Sequence, residues 1–113
     1  MITLYGIKAC DTVKKARQFL DAKEVDYHYH DFRIDGLEKE QLSAWINTVG
    51  WKTLLNTRST SWRRLTDAQK LDIDEQRAQA LMLDNPTLIK RPVLETSNEV
   101  IVGFKDDIYQ QLS

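Results

Sequence analysis

Cysteine is almost absent from this 113-residue chain: Cys10 is the only one. That count excludes a disulfide framework, a Cys-x-x-Cys pair and a thiolate-rich zinc site. Any disulfide that Cys10 forms must join it to another molecule. Proline and glycine are scarce too, two and four residues, so no linker-like or low-complexity segment interrupts the chain. No apolar run approaches membrane-spanning length. No charge of either sign dominates: 16 Lys and Arg against 17 Asp and Glu leave a formal net charge of -1. A direct nucleic-acid role therefore has no basic field to argue from. The chain starts straight into the strand-like Ile2-Thr3-Leu4-Tyr5, without the charged and apolar regions of a leader peptide. With a single unpaired thiol, this points to a reducing, cytoplasmic setting.

What is present fits one globular domain, because 113 residues with 42% apolar side chains can bury a core without staples. Ile2 to Tyr5, bounded by Gly6, reads as a buried strand. From Asp11 to Ala22 the residues Val13, Ala16 and Leu20 share one helical face, with Asp11 or Thr12 able to accept first-turn N–H bonds. Val25 to Phe32 is β-branched and aromatic, so a second strand is expected, and strand–helix–strand makes a βαβ unit. Leu42, Trp45, Ile46 and Val49 form a stripe over a helix at 38–49 that Gly50 terminates. Residues 51–65 read as irregular, with Lys52, Arg58, Arg63 and Arg64 and no acid. Residues 66–84 hold one or two helices, capped at Thr66-Asp67, with Ala78, Leu81 and Met82 inward. Strands at 93–96 and 100–103 flank a turn at Ser97-Asn98, and a closing helix at 105–112 turns Ile108 and Leu112 inward.

The order is β-α-β, a helical insert at about 36–85, then β-β-α, the α/β layout of a thioredoxin-like fold. The core spans about 1–35 and 86–113. The insert has no composition of its own, so it is expected to pack on the same core. Cys10 falls between the first strand and the first helix. There the helix dipole and free backbone N–H groups favour thiolate, the reactive form. Taken without context a free cysteine is most often a buried hydrophobe; the helix-start position reverses that. In this layout a cis-proline opens the third core strand beside the cysteine, and Arg91-Pro92-Val93 stands in that place. An ordinary trans proline is the commoner state, but the Cys10 context favours cis, which turns the Arg91 backbone outward.

Three blocks carry a resemblance: Tyr5-Gly6-Ile7-Lys8-Ala9-Cys10-Asp11-Thr12-Val13-Lys14-Lys15-Ala16, Leu54-Leu55-Asn56-Thr57-Arg58 and Ile89-Lys90-Arg91-Pro92-Val93. Together they resemble the arsenate reductase-related (ArsC/Spx) family, and within it the YffB branch of small thiol reductases. The likeness covers essentially the whole chain. It implies three activities. Arsenate reductases of the family attack the oxyanion with the helix-start cysteine and support it with three arginines. Arg91 matches one of these. The second falls at Asn56, with Arg58 two residues on, and the third falls near residues 102–104, where no arginine stands. Charge-assisted bonds to an anion contribute roughly 1.5–3 kcal/mol each, so arsenate reduction is expected to be weak or absent. Spx-type regulators bind the RNA polymerase α-subunit, and redox-sensing members use a Cys-x-x-Cys switch. Val13 occupies the second position here, so only a cysteine-independent contact remains open.

The reading that suits both the cysteine count and the arginine pattern is a glutathione-dependent thiol–disulfide reductase. Cys10 is its catalytic residue. Lys8, Thr12, Asn56, Arg58, Arg91 and Pro92 form its candidate binding set. Glutathione is the expected co-substrate, its carboxylates meeting Lys8, Arg58 and Arg91, and glutaredoxin and the polymerase α-subunit are candidate partners. His28 and His30 alternate along a strand with Asp26 and Asp31 nearby. Closed zinc sites need four suitably spaced ligands, so solvent exposure on an edge strand is the better reading and no metal is expected. Trp45, Trp51 and Trp62 are read as packing the insert onto the sheet rather than stacking bases.

Overall fold

The structure, a computed structural model, describes residues 2–8 and 10–111. In chain order the elements are β1 (Ile2–Gly6), α1 (Asp11–Ala22), β2 (Tyr27–Asp31), α2 (Phe32–Asp35), α3 (Lys39–Val49), α4 (Trp51–Leu54), α5 (Thr60–Arg63), α6 (Asp67–Lys70), α7 (Glu75–Asp84), a 3-10 turn (Pro86–Leu88), β3 (Val93–Glu95), β4 (Val100–Val102) and α8 (Asp106–Tyr109). The chain divides into two compact units, one of Met1–Gly36 with Arg91–Ser113 and one of Leu37–Lys90.

The first unit holds a mixed four-stranded sheet in the order β2-β1-β3-β4. β1 pairs with β2 in parallel, while β3 runs antiparallel to both β1 and β4. This is the expected β-α-β, β-β-α order of a thioredoxin-like fold. On one sheet face Leu4, Leu94 and Ile101 pack with Ala16 and Leu20 of α1 and Tyr109 of α8. The helical stripe of Val13, Ala16 and Leu20 is fully buried, as its 3.6-residue spacing requires. In α8 the buried residue is Tyr109 rather than Ile108, which is half-buried; Leu112 lies outside the described residues. The turn from β3 to β4 is closed by the Thr96 hydroxyl, which accepts from Asn98 and Glu99 N–H at 3.2 and 3.0 Å.

The second unit is helical. Its buried residues include Leu42, Trp45 and Ile46 on α3, Leu54 on α4, and Ala78 and Met82 on α7. Residues 51–65 are more ordered than their sequence suggests. Two one-turn helices, α4 and α5, occupy them, the second capped by the Ser59 hydroxyl accepting from Trp62 N–H. A complete capping box between Thr66 and Gln69 opens α6. Trp45 is buried; Trp51 and Trp62 are half-buried, with Lys52 and Lys70 resting over their rings at 5.6 and 5.3 Å. The boundary with the first unit falls at 90/91 rather than 85/86. Residues 86–90 are tied into the helical unit by the Leu55–Ile89 bridge and by Lys90 N–H donating to Leu54 O at 2.7 Å. Among the described residues no helix is long and apolar enough to cross a membrane.

Candidate active site around Cys10

The site is built where three strand ends meet. In the register of β1 with β2, Gly6 lies opposite Asp31, and in the register with β3, Tyr5 lies opposite Val93. The loop after β1, the end of β2 and the Arg91-Pro92 step into β3 therefore share one end of the sheet. Gly6 is required there: a Cβ would sit 2.6 Å from Val13 Cγ2, so only glycine lets α1 pack this close.

Cys10 takes the N-cap position of α1 in an extended conformation, φ -92° and ψ 121°. Its N–H donates to Ile7 O at 3.2 Å, and its carbonyl accepts from Lys14 N–H at 3.1 Å, the first bond of the helix. The cap is thus the cysteine itself and not Asp11 or Thr12, and the Cys10 side chain makes no capping hydrogen bond. The thiol is unpaired and half-exposed. Thr12 is exposed on the first turn. The Lys8 side chain is exposed as well, while its backbone N–H donates to Asp31 Oδ2 at 3.2 Å. The Arg91–Pro92 peptide bond is cis. Pro92 is buried and its carbonyl accepts from Gly103 N–H at 2.8 Å, whereas Arg91 is half-buried with its Nε shut away from solvent.

Asn56 and Arg58 belong to the helical unit, and Cys10 to the other. There Asn56 shapes its own turn: its Oδ1 accepts from Arg58 N–H at 3.0 Å and its carbonyl from the Ser59 hydroxyl at 2.8 Å. The Arg58 side chain is exposed.

Two residues not recognised as functional in the sequence stand out near the thiol. Asp31 is 4% exposed and the buried charged residue of the described chain. Its Oδ2 takes the Lys8 N–H and also the Tyr29 hydroxyl, at 3.3 Å, and its Oδ1 accepts from Arg33 N–H at 2.8 Å. Tyr29 lies under the Arg17 guanidinium, 4.2 Å from the ring centroid, and Arg17 Nε donates to the Tyr27 hydroxyl at 3.4 Å. Burial, then the Asp31 charge, pushes the Tyr29 phenol up to about 12, and the Cys10 thiol is close enough to add to that effect. The sequence signal for this group is the alternation Tyr27, Tyr29, Asp31, which places all three on one strand face. β2 is the sheet edge, and His28 is exposed on it as expected, while His30 is half-buried. Its ring packs 4.9 Å from Tyr5 and 6.0 Å from Phe32, and its Nε2 donates to Gly36 O at 2.7 Å.

Comparison with known proteins adds the following. The ArsC family pattern matches residues 5–112. An uncharacterized protein of Haemophilus influenzae is 43% identical over 110 residues, covering 97% of this chain and 96% of that protein. The global transcriptional regulator Spx of Streptococcus agalactiae is 30% identical over 112 residues, covering 95% of this chain and 79% of the regulator. A solved structure of a protein named YFFB is 49% identical, covers 99% of this chain and 98% of its own, and superposes with a TM-score of 0.96.

Proposed function

The chain belongs to the ArsC family, and from that premise we propose that it is a glutathione-linked thiol–disulfide reductase with Cys10 as nucleophile. One observation carries the reading: a half-exposed thiol at a helix N-cap, in a chain with no second cysteine. The Cys10 thiolate attacks the glutathione sulfur of a mixed disulfide, a Cys10–glutathione bond forms, and the substrate leaves as its thiolate. A free glutathione thiolate then attacks the glutathione sulfur of that adduct, forming oxidised glutathione and returning Cys10 as thiolate. Each step makes one S–S bond and breaks one, and two electrons pass from glutathione to the substrate. Arg91 and Lys8 are assigned to the carboxylates of glutathione, and the Arg91 backbone beside cis-Pro92 to its cysteinyl amide. The reading is tested by mass spectrometry after incubation with oxidised glutathione. One glutathione on Cys10, and none on Cys10→Ser, is expected; an unmodified wild type overturns it.

The likeness to Spx favours a second reading, a transcription regulator that docks on the α-subunit of RNA polymerase. Val13 at the second position of the Cys-x-x-Cys spacing leaves that contact no internal redox switch. Retention by the immobilised carboxy-terminal domain of the polymerase α-subunit, undiminished in Cys10→Ser, supports it. Arsenate reduction is the weakest reading, because residues 102–104 supply no arginine. Arsenate turnover with glutathione and glutaredoxin is expected to be negligible.

A further inference from the structure

A buried carboxylate is costly to keep unless it is fully hydrogen-bonded, and Asp31 meets that requirement with three donors. One of these bonds, from Arg33 N–H, is the N-cap bond that opens α2. A serine or threonine would serve as well for that alone. The other two bonds do something different. Lys8 is 23 residues earlier in the chain, in the loop that ends at Cys10. Tyr29 is the residue whose phenol lies within electrostatic reach of the thiol. A single oxygen, Asp31 Oδ2, therefore joins the backbone of the cysteine loop to an aromatic side chain beside it.

The carboxylate is itself rigidly placed. The Asp31 backbone is paired with Gly6 across the parallel ladder, and its N–H donates to Asp35 Oδ2 at 3.1 Å. Tyr29 is fixed at both ends, by Asp31 at its hydroxyl and by Arg17 over its ring. Burial and the adjacent carboxylate keep its phenol protonated, so it stays a donor to Asp31 through the neutral range.

We propose that Asp31 is a positioning residue for Cys10, holding the Lys8 N–H and the Tyr29 hydroxyl on one oxygen so that the thiol meets a disulfide in line. This rests on the assignment of Cys10 as nucleophile. Disulfide exchange needs the attacking sulfur aligned with the S–S bond, so it is sensitive to small displacements of the loop. Alkylation by a small probe such as iodoacetamide tolerates them better. Asparagine at 31 cannot reproduce the arrangement. It has one acceptor oxygen, and when that oxygen caps α2 its NH2 group faces the Lys8 N–H, donor against donor.

The experiment compares wild type, Asp31→Asn and Tyr29→Phe by three readouts: the rate of glutathionylation by oxidised glutathione, the rate of iodoacetamide labelling, and hydrogen exchange of the Lys8 amide by NMR. Asp31→Asn is expected to slow glutathionylation about tenfold, to change labelling by less than about threefold, and to speed Lys8 exchange about tenfold. Tyr29→Phe, which keeps the Lys8 bond, is expected to slow glutathionylation about threefold with Lys8 exchange unchanged. Equal falls in glutathionylation and labelling overturn the proposal, because that is what general loosening produces. So does a wild-type glutathionylation rate in Asp31→Asn, or, should that variant not fold, wild-type rates in Tyr29→Phe. A wild type that takes no glutathione sinks the reductase reading alone. Lys8 exchange then decides for Asp31 if it rises in Asp31→Asn and against it if it does not.

Discussion

The Tyr109 hydroxyl is a polar atom shut in an apolar place. The residue is 0% exposed, the rings of Phe19 and Phe104 meet it edge-on with centroids 6.2 and 4.9 Å away, and its oxygen has no hydrogen-bond partner among the described residues. Burial pushes its ionisation well above the ordinary tyrosine range. Tyr109→Phe keeps the ring and removes the orphan, so it should stabilise the fold by about 1 kcal/mol and raise Tm by about 4 °C. Thermal unfolding followed by circular dichroism measures this, and a lower Tm would show that the hydroxyl is bonded after all. Tyr29 makes the complementary case, a polar group fully engaged. Its folded pKa is about 12 against 10.0 for an ordinary phenol. A raised folded value means that the stabilisation is complete below pH 10 and is lost as pH climbs through about 12, because the unfolded chain releases its proton first. Tyr5 and Tyr109 are shifted upward as well, chiefly by burial, so their contributions have the same sign. Urea midpoints should therefore fall on the alkaline side of pH 10, and less steeply in Tyr29→Phe. An equal slope in that variant would remove Tyr29 as a contributor.

At the scale of elements, the junction of β1 with α1 is the place where one atom decides the packing. A methyl on residue 6 would lie 2.6 and 3.0 Å from the two γ carbons of Val13, which is itself fully buried. Gly6→Ala should cost about 1–3 kcal/mol through overpacking, and Val13→Ala in the same chain should recover part of it, a coupling that a double-mutant cycle in urea reads directly. Strict additivity would mean that the clash is relieved elsewhere. Such junctions explain what the sequence revealed and what it concealed. The α1 stripe was legible because three buried side chains repeat at helical spacing over 12 residues. The Thr66 cap was legible because the signature is local. α4 and α5 were not: four residues show no period, and what holds them is tertiary, such as Leu54 buried on α4 and the Ser61 and Thr87 hydroxyls paired across 26 residues. The same limit hid Asp31. Its carboxylate reads only as a neighbour of a discarded histidine metal site until the parallel register sets it beside a loop 23 residues away.

Across the whole molecule, the β-α-β and β-β-α halves could be read from pattern and order, and the position of Cys10 between the first strand and helix followed from them. The second boundary of the helical insert could not, because the chain after Pro86 stays with the helical unit through backbone bonds that leave no trace in composition. The scarcity of cysteine remains the strongest constraint at this scale. One thiol per chain means that oxidation has two disulfide products, a mixed disulfide with a small thiol or a dimer of two chains. The dimer requires two half-exposed sulfurs, each at a loop-to-helix junction, to meet in one orientation. A small disulfide meets no comparable orientational barrier. Under a mild oxidant without added thiol, the chain should dimerise slowly through Cys10, and reductant should return the monomer. With glutathione present, one adduct per chain should form about tenfold faster and suppress the dimer, and Cys10→Ser should form neither. Non-reducing electrophoresis with intact-mass measurement separates the products. Dimer forming as fast as the adduct would argue that the thiol is built to meet another protein chain rather than a small thiol.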